Sequence, residues 1–328
     1  MKCIVMFSGG LDSTIAVHLL KSMGLDVLAL HFILPFYSGI GNSHDRVREK
    51  TELLGVPLRI IEEGEEYVRM FKKPYFGYGK NSNPCIDCRI HRLIQASHIM
   101  EEEHASFIAT GEVMGQRPMS QYRASMNAIE NHSGLKGLLL RPLSAKMLPP
   151  TIPEEKGWVN REQLLSFWGR GRKPQLAYAA QYNLNVESPG GGCLLTNKET
   201  SQRCVDLMEN NPDFSLSTFK LVAYGRHFKI GNGVRLIIAR NDGENTVLEK
   251  LSEPEDRVLM MGGEITGPLG IVRGPASNAD IVTACRILAR YTKARSLATA
   301  DVVVIKNGIH TEISVPPAGE TEFCAIMV

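Results

Sequence analysis

The chain has 328 residues, a formal net charge of +2 and a hydrophobic fraction of 43%, which excludes bulk disorder and predicts one large or two ordinary globular domains. No apolar run approaches the roughly 20 residues needed to span a bilayer, and Ser8-Gly9-Gly10 interrupts the apolar N-terminal run too early for a signal peptide. We therefore expect a cytoplasmic enzyme or binding protein without membrane contact.

Strand and helix signals alternate over the first two hundred residues. Short apolar runs predict strands at Lys2–Phe7, Val27–Phe32, Leu58–Ile61, Ser106–Thr110 and Leu138–Leu140. Helical patterns lie between them, at about 11–24, Asp45–Leu54 and Arg89–Glu103. Near-continuous apolar strands that alternate with helices indicate an α/β fold with a doubly wound parallel sheet. In such a sheet, ligands bind beyond the carboxyl ends of the strands.

The pattern changes beyond about residue 146. Helices are predicted at Arg161–Trp168, Gln175–Tyr182 and Glu199–Met208, and Asn210-Asn-Pro-Asp213 indicates a domain boundary. The later segments predict strands at Phe219–Tyr224, Val234–Ala239, Thr246–Leu251 and Asp301–Ile305, and a helix at Ala279–Tyr291. We expect a first domain over residues 1–210 and a second, smaller α+β domain over residues 211–328.

A glycine-rich turn, Ser8-Gly9-Gly10-Leu11-Asp12-Ser13, lies between the first strand and the first helix. Two glycines let the backbone approach an anion, and the amides at a helix start point toward it. Ser8 and Ser13 can donate hydroxyl hydrogen bonds, and Asp12 can hold Mg²⁺. The alternative is an ordinary strand-to-helix turn, which rarely has this sequence. The turn therefore predicts a phosphate-binding loop.

This loop resembles the SGGxDS signature of the PP-loop ATP pyrophosphatases, which have the adenine nucleotide α-hydrolase-like fold. The resemblance implies that ATP adenylates a carbonyl oxygen or carboxylate with release of pyrophosphate, after which a nucleophile displaces AMP. It assigns ATP and Mg²⁺ to a set of loop residues: Ser8, Gly9, Gly10, Asp12 and Ser13.

Three further segments resemble one branch of these enzymes, the tRNA sulfur-insertion enzymes. Asn83–Cys88 resembles their N-P-C-x-x-C segment, Ala109–Gln116 the strand-to-loop element of the 4-thiouridine synthases, and Arg141-Pro142-Leu143 the next strand end. Cys193 stands where these enzymes carry a further catalytic cysteine. The resemblance implies an ATP-dependent tRNA sulfurtransferase, or thiouridylase, that adenylates a uridine carbonyl oxygen and replaces it with sulfur. It places Gly111 and Gln116 in the nucleotide pocket.

The end of the chain resembles a different family, the RNA-binding module of NFACT proteins. The similar segments are Gly225–Phe228, Arg240–Asn245 and Asp280–Arg290. No segment resembles the THUMP or rhodanese-like domains that accompany other 4-thiouridine synthases. The resemblance implies tRNA or another RNA as partner, bound through this module.

Three cysteines, Cys85, Cys88 and Cys193, allow three interpretations. They can ligate a [4Fe–4S] cluster whose open iron holds hydrosulfide as sulfur donor, which is the interpretation that we favour. Alternatively, Cys88 or Cys193 carries a persulfide and the other resolves it by a disulfide. The third interpretation is a structural zinc site with His91 or Cys204 as fourth ligand. The alternative function is a PP-loop enzyme that adenylates a small substrate and whose cysteines carry a persulfide or structural zinc.

The remaining assignments concern single residues and partners. Asp87, Cys88 and Cys193 are the predicted catalytic residues, with Asp87 handling a proton or, alternatively, capping a helix. His31 ends the second strand and either contacts adenine or is a core histidine. A basic and aromatic cluster favours RNA contact, with a solvated basic face as alternative. Its members are Lys156, Arg161, Arg170, Arg172 and Lys173 with Trp158, Trp168 and Tyr178. We also expect a sulfide or persulfide donor and consider a homodimer.

Overall fold

The computed structural model describes residues 1–37, 43–184, 192–319, 322, 324 and 326–328. The chain divides into two compact units, Met1–Leu34 with Gly41–Cys193 and Pro35–Ile40 with Leu194–Val328. The helix Lys198–Asn210, which the sequence places before the expected boundary, belongs to the second unit. Within the described ranges, every helix is too short or too polar to cross a membrane.

The first unit is built around a parallel sheet. Its strands are β1 (Lys2–Met6), β2 (Asp26–Ile33), β3 (Leu58–Glu62), β4 (Phe107–Thr110) and β5 (Leu139–Leu140). Its helices are α1 (Leu11–Ser22), α2 (Ser43–Leu54), α3 (Glu65–Lys72), α4 (Cys85–Glu102), α5 (Arg123–His132), α6 (Ile152–Glu155) and α7 (Lys173–Gln181). The sheet order is β3-β2-β1-β4-β5, and each neighbouring pair is parallel. All five predicted strands are confirmed.

Both faces of this sheet are covered, as a doubly wound fold requires. The side chains of β1 alternate, so Cys3 and Val5 lie in the core on one face and Ile4 lies in the core on the other. The first core includes the buried side of α1, and the second includes the buried sides of α4 and α5. The sheet therefore leaves its carboxyl edge as the place where loops converge, as the predicted fold class implies.

The second unit contains an antiparallel sheet. Its helices are α8 (Lys198–Asn210), α9 (Leu216–Leu221), α10 (Asp242–Leu251) and α11 (Asn278–Arg290). Its strands are β6 (Arg226–Gly231), β7 (Val234–Ile238), β8 (Arg257–Met261), β9 (Gly270–Arg273), β10 (Ala300–Lys306) and β11 (Ile309–Val315). They pair antiparallel in the order β11-β10-β8-β9-β7-β6. Helix α11 packs on one face, and α9 and α10 pack on the other. This arrangement is the expected α+β class.

One predicted strand of this unit, Phe219–Tyr224, is wrong. The structure has helix α9 there, followed by a turn. Ser215 caps the helix, because its side chain accepts a hydrogen bond from the Thr218 amide. A capping serine before the aromatic and β-branched residues outweighs their preference for strands.

A second predicted strand, Thr246–Leu251, is wrong for the same reason. It forms the last part of helix α10. The Asn241 side chain accepts a hydrogen bond from the Glu244 amide, and acidic residues occupy the first helical turn. Both features stabilise the start of a helix.

Two predicted helices of the first unit also differ from the structure. Of the predicted helix Arg161–Trp168, only Arg161–Gln163 forms a short 3₁₀ turn, and the rest is extended chain or turns. Helix α4 begins at Cys85 rather than at Arg89. Both thiols of the C-x-x-C pair therefore belong to the first turn of a helix.

The central position of β4 leads to a prediction about stability. Ile108 is fully buried and is paired with Ile4 of β1 and Leu139 of β5. We expect Ile108→Ala to lower the free energy of unfolding by about 2–5 kcal/mol, measured by urea denaturation. Leu53→Ala, at a side chain that is 76% exposed, is the control and should change it by less than about 0.5 kcal/mol. Equal effects would contradict the assigned core.

Candidate active site

The predicted phosphate loop connects β1 to α1 at the carboxyl edge of the parallel sheet. Gly9 has a φ of +73°, which favours glycine. The Ser13 hydroxyl donates to the Gly10 carbonyl at 2.9 Å and accepts from the Ser8 amide at 3.3 Å. No side chain caps the start of α1, so amides of its first turn remain available to an anion. The loop has the form of a phosphate cradle.

Asp12 begins a chain of hydrogen bonds beside this cradle. Gln116 Nε2 donates to Asp12 Oδ2 at 2.8 Å, and Gln175 Nε2 donates to Gln116 Oε1 at 3.3 Å. The other carboxylate oxygen, Asp12 Oδ1, is buried and has no hydrogen-bond partner among the described residues. A buried carboxylate oxygen beside a phosphate cradle fits the oxygen ligand that Mg²⁺ takes.

The loop after β4 lies directly against the phosphate loop. A Cβ at Gly111 would lie 2.6 Å from the Asp12 carbonyl carbon and 2.6 Å from the Ser13 amide nitrogen. These distances exclude any side chain at position 111, because neither backbone atom belongs to a flexible side chain. The structure thus brings Gly111 and Gln116, both predicted site residues, to the phosphate loop.

An arginine that the sequence analysis did not select, Arg117, connects the phosphate loop to the cysteines. Burial lowers the pKa of Arg117, and the charge of Arg89 lowers it further. The charges of Asp12 and Cys85 act in the opposite direction. Arg117 therefore lies within electrostatic range of both Asp12 of the phosphate loop and Cys85 of the C-x-x-C pair. Only tertiary structure reveals this position, because no local pattern surrounds Arg117.

Arg89, whose charge acts on Arg117, belongs to a buried network of ion pairs. Its Nη1 lies 3.4 Å from Glu112 Oε1, and Arg141 Nε donates to Glu112 Oε2 at 3.0 Å. Arg141 Nη1 also donates to Glu130 at 2.9 Å. Burial opposes the Glu112 charge, but Arg89 and Arg141 together leave the pKa of this carboxyl below its ordinary value. Arg141 lies in the predicted strand-end segment, and its contacts give that segment a structural role.

The two thiols of the C-x-x-C pair have different surroundings. Asn83 Nδ2 donates to Cys85 Sγ at 3.1 Å. Arg92 Nη2 donates to Cys88 Sγ at 2.9 Å, and the Tyr67 hydroxyl lies 3.7 Å from the same sulfur. An anionic sulfur accepts a hydrogen bond from a guanidinium better than a neutral thiol does. Cys88 thus has a cationic hydrogen-bond donor, whereas the donor to Cys85 is a neutral amide.

Cys193 shares the surroundings of Cys88. Burial acts to lower the pKa of Arg92. The pKa is nevertheless raised, because the charges of Cys88, Cys193 and other acidic groups nearby favour the cation. Burial raises the pKa of Tyr67, and Cys88 and Cys193 raise it further. Both sulfurs thus lie within electrostatic range of the same two side chains.

The described residues do not gather into a metal site. Over the described ranges, no three His, Cys, Asp or Glu side chains lie together as metal ligands would. Cys85 contacts Asn83, whereas Cys88 and Cys193 approach Arg92, so the contacts as they stand do not fit a three-cysteine cluster. The cluster stays a prediction of the resemblance.

His91 and Cys204, the two proposed fourth zinc ligands, lie in different surroundings. His91 lies 2.9 Å from Glu63 and 2.8 Å from Gln95. Cys204 is buried in α8 of the second unit. Neither the contacts of His91 nor the location of Cys204 supports the zinc interpretation.

Two further predicted site residues have clear contacts. Asp87 is buried, and its carboxylate accepts hydrogen bonds from the backbone amides of Tyr75 at 2.7 Å and Phe76 at 3.1 Å. These contacts fix the loop before α4 and give no support to proton transfer, which stays a prediction. His31 Nδ1 donates to the Phe7 carbonyl at 2.8 Å, next to the phosphate loop. Contact between His31 and adenine also stays a prediction.

The predicted basic and aromatic cluster divides into two parts. Arg161 pairs with Glu154 and donates to two backbone carbonyls, so it has a structural role. Trp158 stacks on Phe107 in the core region, with a centroid distance of 6.5 Å. Trp168, in contrast, is exposed, as are Arg170 and Lys173.

Two family models match separate parts of the chain. Residues 1–148 match the tRNA methyl transferase HUP domain, and residues 225–327 match the NFACT protein RNA binding domain. These matches confirm both resemblances, to the PP-loop enzymes and to the NFACT module. The tRNA-specific 2-thiouridylase MnmA of Sulfurimonas denitrificans is 31% identical over 117 residues, which are 34% of this chain and 34% of that protein. The chain thus spans about a third of the length of such curated relatives.

Two solved structures show weaker similarity. The U34-tRNA thiolase NcsA from Methanococcus maripaludis, solved with its [4Fe–4S] cluster, is 18% identical, with a TM-score of 0.35 over 68% of this chain and 70% of that chain. A 4-thiouridine synthetase in complex with RNA and bound ATP is 20% identical, with a TM-score of 0.42 over 68% of this chain and 53% of that chain. Similarity at this level says nothing about the chemistry of this chain.

The contact between Gly111 and the phosphate loop can be tested by substitution. We expect Gly111→Ala to weaken ATP binding by roughly tenfold or more, because the added Cβ displaces the Asp12 and Ser13 backbone that forms the cradle. Calorimetric titration with ATP and Mg²⁺ measures the effect. Gly64→Ala is the control, because a Cβ at Gly64 meets open space. Unchanged ATP affinity in Gly111→Ala would contradict the assigned cradle.

The Glu112 network predicts a pH-dependent contribution to stability. Glu112→Gln removes the anion shared by Arg89 and Arg141 and leaves the buried Arg141 with Glu130 as its remaining anionic partner. We expect a cost of about 3 kcal/mol at neutral pH. The pKa of Glu112 is lowered in the folded chain, so its contribution is present above the ordinary value of 4.5 and declines as the pH falls through the folded pKa. Urea unfolding at pH 7 and pH 4 should show a smaller difference between wild type and variant at pH 4. Glu162→Gln, at a side chain that is 89% exposed, controls for the loss of a surface charge.

Proposed function

We propose that this chain, a HUP (PP-loop) domain of the tRNA thiolase superfamily followed by an NFACT RNA-binding domain, is an ATP-dependent tRNA sulfurtransferase. It adenylates a uridine carbonyl oxygen and replaces that oxygen with sulfur. The observation that carries the proposal is the position of the loop after β4. Its Gln116 donates to Asp12 of the phosphate loop, and its Glu112 lies 3.4 Å from Arg89, the residue after Cys88. A phosphate cradle and a pair of thiols that are tied to one loop suit a reaction that uses both.

The first step in this proposal is adenylation. The uridine carbonyl oxygen attacks the α-phosphorus of ATP, an oxygen–phosphorus bond forms, and pyrophosphate leaves. The phosphate loop binds the phosphates, and Arg117 and Arg89 offset the negative charge of the leaving pyrophosphate. Asp12, whose Oδ1 has no partner among the described residues, would hold Mg²⁺, which would supply further positive charge to the phosphates. Adenylation is required because an amide-like carbonyl oxygen is a poor leaving group.

The second step transfers sulfur, and the contacts of the described residues support a pair of cysteines. The terminal sulfur of a persulfide on Cys88 or Cys193 attacks the activated carbon, and AMP leaves with the former carbonyl oxygen. The thiolate of the other cysteine then attacks the inner sulfur, so that a disulfide forms and the thiouridine is released. A reductant restores the two thiols. Arg92, which approaches both cysteines, stabilises the sulfur anions of this step.

The resemblance to sulfur-insertion enzymes supports a different second step, in which Cys85, Cys88 and Cys193 hold a [4Fe–4S] cluster. The cluster form of the second step requires Cys85, whereas the cysteine-pair form does not. Iron and acid-labile sulfide, measured on anaerobically purified protein, decide between them. About four irons per chain, lost in each single cysteine variant, would establish the cluster. Iron-free protein with full activity in Cys85→Ser would establish the cysteine pair.

Both forms need Cys88 and Cys193, which gives a direct test of the function. We expect Cys88→Ser and Cys193→Ser to lower thiouridine formation on tRNA by on the order of 100-fold or more, while RNA-dependent pyrophosphate release in the first turnover continues. Mass spectrometry of digested RNA measures the first quantity, and a coupled phosphate assay measures the second. Cys285→Ser, at a buried thiol of the second unit, is the control.

The rival function is adenylation of a small substrate. The match to an RNA-binding domain over residues 225–327 supports the RNA substrate instead. Pyrophosphate release that is independent of added RNA, without any thiouridine, would favour the small substrate. The sulfide or persulfide donor, the homodimer and the cytoplasmic location remain predictions of the sequence.

A further inference from the structure

An exposed tryptophan, Trp168, lies on a segment that is held firmly to the first unit. The side chain is 66% exposed. Its neighbours are fixed by backbone hydrogen bonds, because Phe167 N donates to the Leu143 carbonyl and Gly169 N to the Met114 carbonyl, each at 2.8 Å. The indole is therefore presented to solvent on a fixed backbone. Tryptophan is enriched at binding interfaces, because it combines a large apolar ring with a polar N–H group.

The position of Trp168 is beside the proposed ATP site. A Cβ at Gly115 would lie 3.3 Å from Trp168 Nε1, so the indole edge touches the loop at this glycine. The next residue, Gln116, donates its hydrogen bond to Asp12 of the phosphate loop. Trp168 and the phosphate cradle thus contact the same short loop.

Positively charged residues follow Trp168 closely in the chain. Arg170 and Lys173 follow it in the chain and are exposed, and the charge of Arg172 acts on the buried Arg117. Within the part of the chain that the structure describes, none of these three cations forms an ion pair. Unpaired cations beside an exposed aromatic ring suit a ligand that combines phosphates with planar bases.

We propose that Trp168 stacks on an unpaired base of the substrate RNA and so positions the strand at the ATP site, while Arg170 and Lys173 contact the neighbouring phosphates. The inference rests on the proposed function and adds the surface through which the first unit recognises RNA. Duplex RNA conceals its base faces within the stack, so the surface selects a single-stranded or looped segment. A protein partner is the alternative, but contact of a protein with the aromatic ring would give no role to Arg170 and Lys173.

The chain contains two tryptophans, which permits a direct measurement. In Trp158→Phe, Trp168 is the sole tryptophan, and we expect decauridylate to quench its emission in a saturable manner. Inorganic polyphosphate of similar charge should compete for the cations without quenching. The reciprocal variant, Trp168→Phe, retains only the half-buried Trp158 and should show no saturable quenching. Decauridylate that binds Trp158→Phe without quenching, or fails to bind it, overturns the proposal.

A kinetic split gives a second test. Trp168→Ala should raise the KM for RNA by roughly tenfold and leave the affinity for ATP unchanged, whereas Trp168→Phe should retain most of the RNA affinity. Leu53→Ala, at an exposed apolar residue of α2, is the matched control. If wild type forms thiouridine but Trp168→Ala has an unchanged KM, the stacking role fails and the proposed function stands. If RNA quenches Trp168 but no thiouridine forms, the contact stands and the proposed function fails.

Discussion

The approach of Gly111 to the backbone of Asp12 and Ser13 is the constraint on which the rest of the candidate site depends. Adjacent parallel strands β1 and β4 end at the same edge, so the loops that follow them must share one space. The absence of a side chain at Gly111 lets the two loops touch. That contact brings Gln116 to Asp12 and carries Arg117 into the same region. Without it, the cradle and the second loop would form two separate surfaces.

Helix α4 carries the C-x-x-C cysteines and two arginines of the candidate site. Cys85 and Cys88 lie in its first turn, Arg89 reaches the buried Glu112, and Arg92 donates to Cys88. Positions 85, 88, 89 and 92 recur at helical spacing, so they share one side of the helix. One helix thus orients both thiols of the C-x-x-C pair and the two arginines nearest to them in the chain.

Local signals explain what the sequence could predict. The five strands of the parallel sheet are short apolar runs, and the phosphate loop is contiguous, so both were predictable from neighbouring residues. Arg117 and Arg92 were not, because only in the folded chain do the charges of Asp12 and Cys85 act on Arg117 and does Arg92 donate to Cys88. The helices α9 and α10 were not predictable from the β-branched and aromatic residues alone, because these favour strands, whereas the capping side chains that precede them favour helices.

The lowered pKa of Arg117 has a thermodynamic consequence for the chain without nucleotide. A desolvated cation beside Arg89 and Arg172 raises the free energy of the folded state, since the unfolded chain would return these charges to water. If ATP binds beside Arg117 as proposed, its triphosphate adds an anion near this cation only in the folded state. Nucleotide binding and folding are then linked, and ATP stabilises the first unit against unfolding.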